Sequence, residues 1–263
     1  RGVSNMKLQI YQFEVAEANF KQNKAKISSL IETHYTNADI IVLPEMWNNG
    51  YALNQLKDKA DIDLQQSLPF IQQLAQQYTT HIVAGSVANM RTNAIYNTAF
   101  AVSKDKTLLN VTDKIHLVPM LDEPFYLSPG LNQPNNFSIN GIQASQIICY
   151  DLRYPEVARA SIKNGAEMLF VVAQWTTQNL HHWRILLQAR AIENNCFVIA
   201  CNSVGNVNHQ HHKGNSYAGH SMVVNPNGEI LVEAGHSEMV FEIDIQTNAV
   251  TKQRKAIPVL EDI

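Results

Sequence analysis

Residues 145–156 read Ser145-Gln146-Ile147-Ile148-Cys149-Tyr150-Asp151-Leu152-Arg153-Tyr154-Pro155-Glu156. Within them an apolar run delivers a single cysteine to a polar turn, and a helix begins at once. Pro155 is preset for an early helical position and Glu156 suits the positive end of the helix dipole. The same pattern continues downstream. The helix predicted over Pro155 to Asn164 is followed by a strand over Met168 to Ala173, a helix through Trp183 to Asn194 and a strand over Phe197 to Cys201. Five alternating elements with continuous apolar strands define an α/β fold whose strands are covered on both faces. A strand that ends in a sharp turn lifts the turn residue clear of the sheet, and the free N–H groups of the helix favour a thiolate there. Taken alone, Cys149 reads rather as a small buried apolar side chain at a strand end.

Working back from this unit, the N-terminal half repeats it. Lys7 to Phe13 alternates as a strand does, and Phe20, Ile27, Leu30 and Ile31 share one face of a helix. Asp39 to Pro44 is a short buried strand that presents Glu45 at its end. A helix is predicted over Leu68 to Tyr78, and strands over His81 to Val87, Ala94 to Val102 and Thr107 to Thr112. The last of these runs into Lys114, and Pro119, Pro124, Pro129 and Gly130 then mark a long irregular loop, a length uncommon unless functional. Near the C-terminus, Ser221 to Val224 and Glu229 to Val232 flank Asn225-Pro226-Asn227-Gly228 as a hairpin. Met239 to Ile245 adds a strand, followed by a polar tail ending in Ile257-Pro258-Val259-Leu260, of a kind that often packs on a neighbour.

Composition bounds the function. The 263 residues, 45% hydrophobic with a formal net charge of −3, describe a globule rather than a nucleic-acid binder or a disordered chain. The apolar runs fall far short of the roughly 18 residues of a spanning helix, so no membrane partner is expected. Residues 6–263 read as one domain without a linker. Arg1 to Asn5 precede the first methionine, lack an apolar stretch and read as an expression remnant rather than a targeting signal. Three cysteines form no even framework. Cys196 and Cys201 lie five apart, on opposite faces of one strand, and an unpaired reactive Cys149 fits a reducing cytoplasm. His209, His211 and His212 have the composition of a metal loop but read as solvated.

Glu45, Lys114 and Cys149 each stand at the end of a predicted strand, the rim where α/β proteins bind ligands. A thiol needs a base, a carboxylate in a desolvated site supplies one, and an ammonium stabilises an oxyanion. Alone, Glu45 and Lys114 would each read as solvated surface charges. Together and in this order they read as a catalytic set.

The chain resembles the nitrilase, or carbon–nitrogen hydrolase, superfamily. The likeness rests on Leu43-Pro44-Glu45-Met46-Trp47, Asp113-Lys114-Ile115-His116-Leu117 and Ile148-Cys149-Tyr150-Asp151-Leu152-Arg153-Tyr154-Pro155. Ala189-Arg190-Ala191-Ile192-Glu193-Asn194-Asn195 and Tyr217-Ala218-Gly219-His220-Ser221 extend it. The resemblance implies a four-layer α-β-β-α sandwich, homodimerised through its helices, and a second glutamate after the lysine, for which Glu123 is the candidate beside Asp122. It implies hydrolysis of a small amide through a thioester on Cys149. In that scheme Glu45 is the base, Lys114 and the Tyr150 N–H hold the oxyanion, and no metal or organic cofactor has a task.

Within the superfamily the motifs look most like the omega-amidase branch, acting on 2-oxoglutaramate or 2-oxosuccinamate. An N-carbamoyl amino-acid amidohydrolase, an aliphatic nitrilase, and a non-catalytic scaffold or cysteine redox sensor are the alternatives. Arg153 reads either as a fork for a substrate carboxylate or as a brace paired with Glu156 or another acid. Gln174 and Trp175, after the strand ending at Ala173, are placed at the pocket rim. Tyr51 and Phe125 are expected in its walls, and His116 is expected to be a packing residue.

Overall fold

Alternation in the early strands sends one set of side chains toward a second sheet and the other toward helices. The computed structural model describes residues 5–209 and 214–261, so His211 and His212 lie outside the described residues. Its strands are β1 (Asn5–Gln12), β2 (Ile40–Val42), β3 (Asp61–Ile62), β4 (His81–Arg91), β5 (Ala94–Val102), β6 (Leu108–Asp113) and β7 (Phe137–Ile139). They continue with β8 (Ile142–Ile148), β9 (Met168–Ala173), β10 (Phe197–Asn202), β11 (Met222–Val224), β12 (Ile230–Glu233) and β13 (Met239–Gln246). The helices are α1 (Phe20–His34), α2 (Leu56–Lys59), α3 (Ser67–Tyr78), α4 (Glu123–Tyr126), α5 (Pro155–Lys163), α6 (Leu180–Asn194) and α7 (Ala249–Ala256).

One sheet runs β13-β1-β2-β4-β5-β6 with β3 beside β4, and the other runs β12-β11-β10-β9-β8-β7. Each has a parallel centre, β1-β2-β4 in the first and β8-β9-β10 in the second, flanked by antiparallel strands. Leu8, Ile10, Ile40, Val42 and Val83 face the second sheet and join one apolar core with Leu169, Val171 and Val198. Their neighbours Ile41, Leu43, Ile82 and Ala84 face outward onto Ile27 and Ile31 of α1 and Ile71 and Leu74 of α3. On the far side of the second sheet Val157 and Ile162 of α5 and Trp183 and Leu187 of α6 close the fourth layer. The architecture is therefore the expected α-β-β-α sandwich. Each fully buried Ile, Leu or Val contributes about 1.5–3 kcal/mol, a force without direction. Apolar packing holds the sheets together without direction, and among the described residues directed bonds between them are few, such as Gln146 Nε2 to Gly85 O at 3.2 Å.

The polar tail proves to be headed by α7, which the sequence pattern did not show because only Val250 of that turn enters the core. It returns onto its own chain. Arg254 Nη2 donates to Ala166 O at 2.8 Å, and Asn195 Nδ2 to Ile257 O at 2.6 Å. On the outer layer Ile185 and Ile192 of α6 remain half exposed, as does Leu231 of β12.

Gly85 sets the end of β2. It lies at φ +56° in a bulge of β4, where a Cβ would stand 1.9 Å from Pro44 O. Only glycine permits both the left-handed backbone and that approach. The turn after Pro44 is then fastened to β4: Met46 N donates to Ser86 Oγ at 2.9 Å, Trp47 N to Ser86 O at 3.0 Å and Trp47 Nε1 to Ala84 O at 2.6 Å.

Candidate active site

Glu45 leaves that turn fully buried, with its carboxylate surrounded by donors. Oε1 accepts from the Tyr51 hydroxyl at 2.6 Å, Asn97 Nδ2 at 2.7 Å and Lys114 Nζ at 3.1 Å, while Oε2 accepts from Gln174 N at 2.7 Å. Gln174 Nε2 also donates to Glu45 O at 2.8 Å. Glu45 belongs to the first sheet and Gln174 follows β9 of the second, so these bonds cross between the sheets.

Lys114 follows β6 and is anchored by its own backbone, donating to Asn97 O at 2.8 Å and accepting from Gly130 N at 2.8 Å. Its ammonium is fully buried between two carboxylates, Glu45 Oε1 at 3.1 Å and Glu123 Oε1 at 2.8 Å. Burial alone would lower the lysine pKa, but Glu123 and Glu45 outweigh it and the ammonium is held charged. Glu123 opens α4, and its other oxygen accepts from Val118 N at 2.8 Å. Burial pushes the Glu123 carboxyl above its ordinary range, and Lys114 opposes that rise. Asp122 is more exposed and pairs with His209 at 3.3 Å, so Glu123, not Asp122, stands beside the lysine.

Cys149 follows β8 at φ +45°, at the head of a 3-10 turn over Cys149–Arg153 that leads into α5. Arg190 of α6 caps this elbow, with Nε and Nη2 donating to Leu152 O at 3.1 and 2.8 Å. Burial, and next the Glu45 carboxylate, push the thiol pKa well up; Lys114 and the Gln174 N–H draw it down without prevailing. These surroundings favour the thiol over the thiolate. Any nucleophilic step at this sulfur must therefore move its proton as the bond forms, and Glu45 is the buried carboxylate coupled to it.

A cavity opens over Cys149 and is lined by Arg153, Gln174, Trp175, Val118 and Met120 among others. Trp175 is fixed by its indole N–H to Asn179 O at 2.7 Å. The Arg153 guanidinium lies 4.6 Å from the Trp175 ring centroid, and Nη1 is 3.2 Å from His182 Nδ1. Among the described residues it pairs with no carboxylate, so the acid that bracing requires, Glu156 included, is not there. Tyr51 is more than a wall: its hydroxyl bonds Glu45 and stands 3.3 Å from Lys114 Nζ. Phe125 is misplaced by the sequence reading. It is 84% exposed and borders a separate surface depression with Pro124 and Tyr126, because the single turn of α4 points Glu123 inward and Phe125, two residues on, outward.

Sequence reasoning missed Asn97, a buried amide amid the apolar alternation of β5, a polar residue that only a partner explains. It also missed Tyr217, buried within the electrostatic reach of Glu17, Glu45 and Cys149. His116 is more than packing, since it joins Asp151. Cys196 and Cys201 are buried away from this site, their thiol hydrogens directed to Arg190 O and Tyr11 O. Burial pushes the Cys196 thiol up to about 12. Among the described residues no group of three His, Cys, Asp or Glu side chains is arranged to hold a metal ion, and no helix is long and apolar enough to cross a membrane.

The sandwich, with a glutamate, a lysine and a cysteine meeting at its rim, has the form of a carbon–nitrogen hydrolase, and the sequence model of the carbon-nitrogen hydrolase family matches residues 7–255. The chain belongs to that family and is an enzyme of the carbon–nitrogen hydrolase class. Among its relatives it is 38% identical to a 2-oxoglutaramate amidase of Bacillus subtilis over 252 residues, covering 96% of this chain and 95% of that one. It is 47% identical over 261 residues, 98% of each chain, to a protein of Staphylococcus aureus named "Hydrolase in agr operon". Among solved structures, a CN-hydrolase superfamily protein of Xanthomonas campestris superposes with a TM-score of 0.91 at 26% identity, covering 99% of this chain and 97% of that one. A member of branch 10 of the nitrilase superfamily from Saccharomyces cerevisiae gives 0.84 at 27% identity, covering 97% and 95%.

Proposed function

We propose that this enzyme hydrolyses the amide of a small oxo-acid, 2-oxoglutaramate or 2-oxosuccinamate, through a thioester on Cys149. The observation that carries the chemistry is the buried contact of Lys114 with both Glu45 and Glu123 beside the Cys149 elbow. Glu45 takes the thiol proton as Sγ attacks the amide carbon, and the oxyanion that forms is held by the Lys114 ammonium and the Tyr150 N–H. The proton on Glu45 passes to the amide nitrogen, the C–N bond breaks and ammonia leaves. Water deprotonated by Glu45 then attacks the thioester carbon, and the C–S bond breaks to release the acid and return the thiol. Glu123 keeps Lys114 charged and in place throughout.

Arg153 supports the substrate class. A guanidinium at the cavity wall, stacked on Trp175 and without a carboxylate partner among the described residues, matches a carboxylate supplied by the substrate. The 2-oxoglutaramate amidase relative agrees with that reading.

Ammonia release should be followed with 2-oxoglutaramate, 2-oxosuccinamate, glutamine, asparagine, N-carbamoyl amino acids and simple nitriles. The oxo-acid amides are expected to be preferred, and Arg153→Met should raise their KM about tenfold or more, the loss of a charge-assisted bond of about 1.5–3 kcal/mol. Preference for a carbamoyl compound or a nitrile would overturn the substrate assignment and keep the cysteine chemistry. Rapid thiol labelling with no turnover of any compound would point to a sensor. The half-exposed Ile185 and Ile192 of α6, with Leu231, support a homodimer seam on this outer layer. A monomer mass by light scattering would refute it.

A further inference from the structure

We propose that Asp151 and His116 form a positioning clamp that sets the Lys114 ammonium against the Cys149 elbow across the seam between the two sheets. The inference rests on the amidase reading above and names residues that touch no reacting atom. Lys114 follows β6, an edge strand of the first sheet, whereas Cys149 follows β8 of the second. No backbone ladder joins these strands. The two groups nevertheless have to meet one carbonyl oxygen and its carbon, and a misplacement of about 1 Å can cost about 10²-fold in rate.

Asp151 stands two residues after the cysteine and is 1% exposed. Among the described residues its carboxylate bonds only those that directly follow the lysine. Oδ1 accepts from His116 N at 2.9 Å and meets His116 Nδ1 at 2.8 Å, and Oδ2 accepts from Ile115 N at 3.3 Å. The imidazole ring lies flat on Tyr154, the residue before α5, with centroids 3.4 Å apart and planes 8° apart. His116 is thus gripped between the Asp151 carboxylate and the Tyr154 ring, both on the elbow that carries Cys149.

A carboxylate buried this deeply, with neither lysine nor arginine in direct contact among the described residues, is costly unless its bonds hold something in place. Two backbone N–H donors from consecutive residues define a direction as well as a distance, which the apolar packing between the sheets cannot do. At the same rim the bonds from Gln174 to Glu45 perform the matching task for the carboxylate. The rim is therefore pinned across the seam at the base and at the lysine, and Gln146 of β8 adds bonds deeper in the seam, accepting from Asn110 Nδ2 of β6 at 3.4 Å and donating to Gly85 O at 3.2 Å.

The test compares Asp151→Asn, His116→Phe and His116→Asn in the full chain, with Cys149→Ala alongside. Asp151→Asn keeps the shape but places an amide N–H against one of the donors, and kcat is expected to fall about 10²-fold with KM within about twofold, because Arg153 and Trp175 are untouched. His116→Phe keeps the stack on Tyr154 and loses the Nδ1 contact, whereas His116→Asn keeps a donor and loses the stack. The clamp requires a larger kcat loss in His116→Phe than in His116→Asn. It also requires slower alkylation of Cys149 at a fixed pH in Asp151→Asn, since a displaced ammonium no longer favours the thiolate. Wild-type kcat in Asp151→Asn would overturn the proposal, as would equal losses in the two His116 variants with parallel drops in melting temperature. If Asp151→Asn does not fold, the His116 pair decides alone. Turnover surviving in Cys149→Ala would instead refute the amidase reading itself.

Discussion

Cys149→Ala is expected to lower kcat by about a millionfold while moving the thermal midpoint by no more than about 2–4 °C. The two halves of this expectation have separate physical origins. Removing the sulfur leaves Glu45 with no proton to take and the amide carbon with no nucleophile, so the whole covalent route closes. Alanine keeps the Cβ that already occupies φ +45°, so the elbow gains no new strain. The caps from Arg190 to Leu152 O and the bonds from Asp151 to residues 115 and 116 do not involve the thiol. Ammonia release and a melting curve on the same preparation check both halves. Full turnover in this variant would sink the assignment.

Lys114→Met is expected to be the most damaging single change to the site as a whole. The ammonium bridges Glu45 and Glu123 with no exposure to solvent, and its removal leaves two buried carboxyl groups facing each other. Breaking a buried pair in this way costs about 3–5 kcal/mol, roughly 6–20 °C in melting temperature for a chain of this size. Turnover should fall about 10³-fold through loss of oxyanion stabilisation. The stability loss has a pH signature.

Burial already pushes the Glu123 carboxyl above 4.5, and without Lys114 the opposing pull is gone. A carboxyl whose folded pKa lies above its unfolded value binds more protons when folded. Its contribution is fully present below the unfolded pKa and is lost as pH rises through the folded one. The gap between variant and wild type should therefore widen as pH rises out of the ordinary carboxylate range, and melting curves at a series of pH values read it directly. A gap that narrows with rising pH would show that the two carboxyl groups are not coupled through the lysine.

The sandwich was legible because its signals are local. Continuous apolar strands such as Met168 to Ala173, turns rich in Gly, Asn and Pro, and helical stripes such as Ile27 and Ile31 each specify an element and a buried face. Glu45, Lys114 and Cys149 were legible for a related reason, since each stands where a strand stops. What the pattern could not show is contact across the seam. Nothing in Asn97, Tyr51 or Tyr217 announces Glu45 as a neighbour, because the pairing is made by the packing of β5, the loop after β2 and the segment before β11. Asp151 and His116 lie inside quoted motifs, and even so their bond joins the segments that follow strands of two different sheets. Phe125 failed in the opposite way. It lies two residues after Glu123, but on a helical turn residues that far apart point in different directions.

The central claim is that the amide carbon becomes bonded to Cys149 Sγ after ammonia leaves. It is tested most directly by acid-quenching the enzyme during turnover of 2-oxoglutaramate, measuring its intact mass, and repeating the reaction with hydroxylamine present. The account predicts an adduct on Cys149 equal to the substrate less ammonia, and formation of the hydroxamate at the expense of the acid when hydroxylamine is added. Ammonia release with neither an adduct on Cys149 nor any hydroxamate would contradict it.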